Sequence, residues 1–406
     1  MQDEYNYDCT MRSPRTEWVF ALYYPQEVTQ DMGPTAILPQ YHHVDNVSSE
    51  NAAEAEEVEA PMTCKAGTVA LIDFDCWHRG SKNSSDKVRY MCKFHYCRVH
   101  QPSGPSWDHR SDEWTIDAAS VQPAKMRFPE LWQSTWRWLL NSPLAPAAAP
   151  PSPDPQPALQ LLDEVHARGA GGTAEGYSAA YRLAAAALES GSEGVAAVLP
   201  PLLKELEVQA MAMTEQMTDW VPYSFGPLFS FHLPPAAQAL MAIGGEAVVA
   251  AMAPLLTADS WTLRVLTAET LGRISRPPQG WAGDTAEALL RGLGECTRHP
   301  HWWVRRSALE SAGHLCLQGI APALPAAVRD EEFLVVRMAC LAAAQIAAPA
   351  APELVDGLGA LLDGDDRYNR AFATVALQRV EDPDGQARER LLHFLLTSRF
   401  DSDGKF

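Results

Sequence analysis

The chain contains 406 residues, of which 47% are hydrophobic and 20% are charged. This balance is typical of globular domains and excludes a wholly disordered or collagen-like protein. Fifty-one acidic residues against 32 basic residues give a formal net charge of -19. A protein that reads the duplex-DNA backbone presents a basic face, so nucleic acid is not an expected partner.

Signals for membranes and for disulfides are both missing from the sequence. It has no run of about 18 apolar residues, the length of a membrane-spanning helix, and Met1 is followed by the polar segment Gln2-Asp3-Glu4. We therefore expect a cytoplasmic protein with no membrane span. The eight cysteines are too dilute for a disulfide scaffold and lack the paired spacing of a zinc site, so reduced thiols are expected.

Short runs of aromatic and β-branched residues predict strands in the first quarter of the chain. The four predicted strands are 17–24, 35–38, 67–74 and 89–99. An Ala- and Glu-rich insert at 46–60 separates the second strand from the third and is expected to face water. Apolar residues at helical spacing predict a helix over 129–140, in which Trp132, Trp136 and Trp138 pack against the strands.

The second half of the chain has a different pattern. A segment rich in Pro and Ala at 142–157 predicts a semi-rigid linker. Beyond it, amphipathic helices rich in Ala and Leu follow one another, and Arg264, Arg305, Arg337 and Arg370 occupy equivalent positions at spacings of 41, 32 and 33 residues. These segments resemble the short form of HEAT repeats, whose helix pairs stack into a solenoid.

The resemblance to HEAT repeats gives the aligned residues structural roles. We expect each arginine to connect neighbouring turns through carboxylates and carbonyls, with a functional arginine stripe as the alternative. Small residues after each arginine allow close helix packing. Of Trp302 and Trp303, one is predicted to face the core, which leaves the other for surface recognition. The solenoid is predicted to bind a protein partner.

His78 and Arg89 form the main candidate site of the strand half. His78 ends one apolar run and Arg89 begins the next, eleven residues later. Consecutive antiparallel strands would place both side chains on facing walls of one cavity, where a His can bind iron and an Arg can pair with a carboxylate. The alternative is an ordinary core or surface histidine.

The segments MGPTAILPQYHH and GTVALIDFDCWHRGSKNSSDKVRYMCKFHY resemble the phytanoyl-CoA dioxygenase family of Fe(II)/2-oxoglutarate-dependent oxygenases. The resemblance implies a β jelly roll that uses Fe(II) and the cosubstrate 2-oxoglutarate to hydroxylate a small-molecule or acyl substrate. It makes His78 the distal iron ligand and Arg89 the residue that binds the far carboxylate of 2-oxoglutarate. Asn83 and Ser85 would shape the turn between them.

The match departs from the family at two places. Gly33, Pro34, Pro39 and His42 fall on the family's loop motif, but Gln40-Tyr41 replaces its usual Gly-Ser. The family also has an H-x-D pair before the first strand. Asp3 lies at the position of its carboxylate ligand, whereas Met1 stands where the His is expected, so the predicted metal ligands, Asp3 and His78, are one imidazole short of a complete site. Fewer strands are predicted than a closed jelly roll needs.

Two further clusters near His78 are weaker candidates. A zinc cluster is suggested by residue type alone at Cys92, His95 and Cys97, together with Cys76 and His78. Cys92 and Cys97 have opposite parity along a strand, so their side chains point to opposite faces of the sheet. Asp73 and Asp75 share a strand face and would support acid–base chemistry or orient the His78 ring. Simple solvation of both aspartates is the alternative.

The sequence therefore predicts a multi-domain protein. A partial β jelly roll (double-stranded β-helix) with a terminal helix extends over 1–141, a linker over 142–157, an all-α HEAT-repeat solenoid over 158–396 and a tail over 397–406. The predicted function is an Fe(II)/2-oxoglutarate-dependent dioxygenase with a protein-interaction domain, in a chain that is a fragment of a longer enzyme. The alternative is a catalytically inert HEAT-repeat binding or scaffold protein with a relic oxygenase domain, so the enzyme assignment stays open.

Overall fold

The computed structural model describes residues 15–40, 57–74, 76–105, 114–115, 128–141, 156–167, 174–217, 233–277, 280–346 and 349–397. These residues form two compact units. The first unit contains the described residues from 15 to 209 and from 233 to 243, and the second contains 210–217 and 244–397. None of the helices in these ranges is both long and apolar enough to span a bilayer.

The described strands of the first unit form two three-stranded antiparallel sheets. In the first sheet β1 lies between β4 and β6, and in the second β2 lies between β3 and β5. This is a small antiparallel sheet region, and the predicted jelly roll is not confirmed. The strands are β1 Trp18–Tyr24, β2 Thr35–Ile37, β3 Ala60–Pro61, β4 Thr68–Asp73, β5 His78–Gly80 and β6 Cys92–Cys97.

Strand register determines which residues of the first sheet face the core. On β1, Phe20 lies opposite His95 of β6, and Leu22 lies opposite Lys93. Phe20, Leu22 and Tyr24 are all buried. Because directly opposite residues in an antiparallel pair face the same side, His95 and Lys93 lie on the core face of the sheet. The core cluster consists of Phe20, Leu22, Tyr24, Val28 and Met32, against which Met62, Cys64, Ala70, Ile72, Phe74 and Met91 pack.

The predicted tryptophan helix is confirmed as α1, Pro129–Leu139. Trp138 is buried, its indole N–H donates to Oε1 of Gln101 at 2.7 Å, and the guanidinium of Arg98 lies 5.2 Å from its ring centroid. The helix therefore packs on the segment that follows β6. It also contacts α3 of the same unit.

The helices that follow lie in both units. Helices α2 and α3 pack against each other in the first unit; residues 142–155 of the predicted linker lie outside the described residues, and the domain boundaries stay a prediction. In the second unit α7, α9, α11 and α13 stack in succession. The bounds are α2 Gln156–Ala167, α3 Ala174–Glu189, α4 Gly191–Met217, α5 Pro235–Ile243, α6 Gly245–Met252, α7 Trp261–Arg273, α8 Gly283–Cys296, α9 Trp302–His314, α10 Leu324–Ala327, α11 Phe333–Ile346, α12 Pro352–Leu362, α13 Arg367–Arg379 and α14 Gln386–Thr397.

The aligned arginines connect neighbouring turns, as predicted. Arg305 donates two hydrogen bonds to the carboxylate of Asp330, both at 2.8 Å. Arg337 donates to Asp366 at 2.9 Å. Arg264 and Arg370 donate to backbone carbonyls in the turns before their own helices. These structural contacts are sufficient to explain why the arginine recurs in each repeat, and the explanation does not require the arginines to bind a ligand.

Small residues allow these helices to approach closely. A Cβ on Gly313 of α9 would lie 3.0 Å from the Cα of Ala342 on α11 and would overlap the side chain of Gln345. Trp303, at the start of α9, is buried, whereas Trp302 is half-buried. The prediction that one of the two tryptophans faces the core is therefore confirmed.

Candidate functional site

His78 lies at the start of β5, between the two sheets. Its ring meets the ring of Phe20 edge-on, with centroids 5.6 Å apart. Its Nδ1 lies 2.7 Å from the carbonyl oxygen of Cys76. A backbone carbonyl can only accept, so Nδ1 holds the proton and the lone pair lies on Nε2, the nitrogen that a metal would bind.

The surroundings of the His78 ring favour its neutral form. Burial lowers its pKa below the usual value, the hydrogen bond to Cys76 opposes this effect, and the positive charge of Lys93 lowers the pKa further. A neutral imidazole is the form that binds metals.

The loop motif packs against the turn between His78 and Arg89. Gly33 has φ of 69°, in the left-handed region that favours glycine, and a Cβ there would lie 2.5 Å from the carbonyl oxygen of Ser81. The carbonyl oxygen of Asp31 accepts from the backbone N–H of Ser84 at 2.8 Å. Only glycine fits at position 33, because the two segments approach so closely.

Asn83 and Ser85 shape this turn, as the family resemblance implies. Oδ1 of Asn83 accepts from the backbone N–H of Ser85 at 2.9 Å and from its hydroxyl at 2.7 Å, while Nδ2 donates to the carbonyl oxygen of Lys87 at 2.8 Å. Gln40, where the family has Gly, has φ of 72°. It therefore adopts the backbone conformation for which glycine is favoured.

Arg89 lies three residues before β6 and is half-buried. Burial raises the pKa of Tyr24 overall. A hydrogen bond with Thr35 and the positive charge of Arg89 both oppose this effect. Within the part of the chain that the structure describes, the Arg89 guanidinium has no hydrogen bond and no ion pair. By contrast, exposed Arg79 forms two hydrogen bonds to Glu59 at 2.7 and 2.8 Å.

Two basic residues lie beside His78. The sequence analysis considered His95 only as part of a zinc cluster and did not assign Lys93 to the site. Nζ of Lys93 lies 4.5 Å from the ring centroid of Phe20, and the His95 ring lies 4.4 Å from the same ring. Lys93 and His95 each lie an even number of residues after Arg89, so in a strand all three side chains face the same side. This alternation could have placed Lys93 and His95 on that side from the sequence alone.

Of the two predicted iron ligands, His78 is the one that lies in the described part of the chain. Among them, no set of three His, Cys, Asp or Glu ligand atoms that includes His78 lies within 4.8 Å of one another. Asp3, the predicted carboxylate ligand, and Asp75 lie outside the described residues. Asp73 lies opposite Val19, on the other face of the sheet from Phe20, so it does not lie on the His78 side. The described ligand set does not complete a ferrous site.

The zinc alternative is also disfavoured by the strand geometry. Cys92 is exposed and Cys97 is half-buried, as expected for residues of opposite parity on β6. The thiol of Cys76 donates to the carbonyl oxygen of Leu38 at 3.4 Å. These thiols do not converge on His78.

Comparisons with known proteins match one segment in each half of the chain. Residues 2–91 match the family model of phytanoyl-CoA dioxygenase, and residues 290–378 match that of HEAT repeats. No curated protein matches the chain. Similar solved structures include two engineered proteins, each 16% identical to this chain. The first has a TM-score of 0.32 and covers 57% of this chain and 97% of its own. The second has a TM-score of 0.33 and covers 68% of this chain and 82% of its own. A third is the complex of CpcE and CpcF of phycocyanin lyase from Nostoc sp. PCC7120, 18% identical with a TM-score of 0.30 over 64% of this chain and 93% of that chain. The chain thus combines a segment of the phytanoyl-CoA dioxygenase family with HEAT repeats, as its motifs predict.

Proposed function

We propose that the strand region is a 2-oxoglutarate-binding domain of the phytanoyl-CoA dioxygenase type and that the HEAT repeats bind a protein partner. Arg89 binds the carboxylate of 2-oxoglutarate that is remote from the keto group. The reaction class is hydroxylation of a small-molecule or acyl substrate by dioxygen. In that reaction 2-oxoglutarate is oxidised and gives succinate and carbon dioxide.

The observation that supports this proposal is the environment of Arg89. The guanidinium is half-buried and has no counter-charge in the described part of the chain. Burying a charge without a partner costs free energy. Because the fold already bears this cost for the Arg89 guanidinium, an anion that enters the site meets a cation that is partly withdrawn from water. A carboxylate matches the planar guanidinium through two parallel hydrogen bonds.

Fe(II), which activates dioxygen in this family, would be held by His78 and Asp3 in this proposal. Nε2 of His78 has the lone pair for such a bond, because Nδ1 donates to Cys76. The described residues do not complete the metal site, so we derive no step at the metal. What they provide is cosubstrate binding.

The test uses the full chain and isothermal titration with 2-oxoglutarate, together with succinate formation in the presence of Fe(II). Arg89→Met should weaken 2-oxoglutarate binding about tenfold to a hundredfold, because a hydrogen bond to a charged group contributes about 1.5–3 kcal/mol. Arg79→Met is the matched control, since Arg79 lies in the same region but pairs with Glu59 at the surface. Equal affinities for the wild type and Arg89→Met would refute the assignment.

The second candidate function is an inert scaffold, and the match of residues 290–378 to HEAT repeats is the observation that supports it. In that case no succinate forms with or without Fe(II), and Arg89→Met has no biochemical effect. Charge reversals on exposed residues of the HEAT repeats would then abolish capture of the protein partner. The oxygenase proposal predicts instead iron-dependent succinate formation that Arg89→Met impairs.

A further inference from the structure

We infer that the outer face of the first sheet is a dimer interface, on which the same face of a second copy of this chain packs. The outer face is the side of the sheet turned away from Phe20 and from the His78 ring that contacts it. Strand pairing places three residues of each strand on it, in the rows Asp73–Val19–Tyr96, Leu71–Ala21–Phe94 and Val69–Tyr23–Cys92.

Large apolar side chains are exposed on the outer face. The exposed fractions are 70% for Leu71, 58% for Tyr96, 54% for Val69, 49% for Phe94 and 37% for Tyr23. An antiparallel sheet with one side in water normally has polar residues on that side. Strand β6 has the opposite arrangement, because Lys93 and His95 face the core whereas Phe94 and Tyr96 face outward. The outer face therefore has the composition of a buried surface.

The area of the outer face is sufficient for a specific contact between two copies. A half-exposed Phe or Tyr contributes roughly 100 Å², since these side chains bury about 150–250 Å² in full. The five exposed residues together then present roughly 500 Å², in the upper part of the range for the largest apolar patch on a monomer. Two copies packed through this face bury about 1,000 Å², which reaches the size of a small specific interface.

The rows of the outer face complement a second copy of themselves. A two-fold axis parallel to β1 places β4 of one copy over β6 of the other, with the sheets aligned face to face. Leu71 then meets the partner's Phe94, so that an aliphatic edge lies over an aromatic edge. Asp73 meets the partner's Tyr96, whose hydroxyl can donate a hydrogen bond to a carboxylate.

The charge of the chain favours this face over other surfaces for a contact between copies. The formal net charge is -19, so two copies repel each other over most of their surface. Among the residues that strand pairing places on the outer face, Asp73 is the charged one, and it lies in the last row of the face. Contact between copies is therefore least opposed here.

The experiment is sedimentation velocity of the full chain under reducing conditions. Loading concentrations cover about 1–100 μM, since an interface of this size need not bind more tightly than micromolar. We expect a monomer that becomes a dimer as the concentration rises. Leu71→Asp and Phe94→Lys should each weaken dimerisation at least about tenfold, because each places a charge against an apolar neighbour twice in the dimer. Leu396→Asp is the matched control, since Leu396 is 85% exposed on α14 of the second unit, and it should dimerise like the wild type.

A mixture of variants tests both the identity of the partner and the order of the strands. Leu71→Asp chains mixed with Phe94→Lys chains should form heterodimers at concentrations where each variant alone is monomeric. In such a heterodimer one new carboxylate faces one new ammonium, and the second contact remains Leu71 against Phe94. Different fluorescent labels on the two variants identify the heterodimer.

Three outcomes would overturn the inference. A wild-type chain that stays monomeric up to about 100 μM would show that a second copy does not cover the outer face. A dimer that neither substitution weakens would place the interface elsewhere on the molecule. A mixture of the two variants that stays monomeric would refute the packing of β4 over β6. Circular dichroism of each variant shows that a loss of dimer does not come from unfolding.

Discussion

A buried charge cluster in the second unit provides the sharpest test of how its stacked helices are stabilised. Glu269 of α7 is fully buried and accepts hydrogen bonds from Arg273, from Arg306 at 2.8 Å and from the hydroxyl of Ser307 at 2.6 Å. Glu310 lies 3.2 Å from Arg306, so two cations face two carboxylates. Burial alone would raise the pKa of Glu269, but the charges of Arg273 and Arg306 outweigh it and hold that pKa below its usual value.

Glu269→Ala leaves two buried guanidinium groups with one carboxylate. Removing one partner of a buried ion pair costs about 3–5 kcal/mol, because the remaining charge has lost its compensation. The matched control is Glu295→Ala. Its carboxylate is 52% exposed and pairs with Arg264 at 3.2 Å, and an exposed pair of this kind contributes about 0–1 kcal/mol.

Native-state hydrogen exchange of the α7 and α9 amides is the suitable assay, because it reports local opening and does not require the whole chain to unfold in one step. Glu269→Ala should raise the exchange rates of the most protected amides more than about a hundredfold, since each 1.4 kcal/mol corresponds to a factor of ten. Equal effects of Glu269→Ala and Glu295→Ala would refute the reasoning. Glu269→Leu combined with Arg306→Leu should be more stable than either single variant.

The cluster also predicts the acid response of the second unit. The Glu269 pKa is 4.5 in the unfolded reference and lower in the folded protein. Its contribution to stability is therefore fully present above about pH 4.5 and is lost as the pH falls through the folded-state pKa. The Glu269→Ala variant has already lost this contribution. Its α7 and α9 amides should therefore lose less protection from hydrogen exchange than the wild-type amides as the pH falls below about 4.5.

Two other substitutions test the turn and the repeat contacts. Gly33→Ala should destabilise the strand region by about 1–3 kcal/mol, because φ is positive and the added Cβ meets Ser81; an unchanged melting temperature of the first unit would contradict this. Asp330→Ala should destabilise the second unit by about 1.5–3 kcal/mol, because Arg305 loses two hydrogen bonds at a site where both side chains are mostly buried. Thermal unfolding monitored by circular dichroism measures both, and an Asp330→Ala melting curve that overlays the wild type would exclude the proposed role.

The repeats were predictable from sequence because their contacts are local. Each aligned arginine bonds within its own repeat or to the next one, so the spacing of the arginines directly reflects the stacking period. Strands β3 and β5 were not predicted. They have two and three residues, too few for an alternating pattern, and they exist because β2 pairs with both.

The site was only partly predictable for a related reason. The motif identified His78, Arg89 and the Asn83 turn, since these depend on residue type and spacing. Lys93 required knowledge of which face of β6 meets the core, and that face is set by pairing with β1, where Lys93 lies opposite Leu22. A single sequence shows the alternation of a strand but does not show its partner.

The distinction between a ligand site and a structural remnant can be tested through the stability of the ligand-free protein. A half-buried guanidinium without a counter-charge destabilises a fold, and Arg89 is such a group in the described part of the chain. If Arg89 serves a ligand, Arg89→Met should raise the stability of the ligand-free protein by about 1 kcal/mol, as is common when a binding residue is replaced by an apolar one. The same variant should lose the increase in melting temperature that 2-oxoglutarate gives the wild type. If Arg89 instead stabilises the fold through its own contacts, Arg89→Met should lower the melting temperature whether or not 2-oxoglutarate is present, and the ligand-site interpretation would then be wrong.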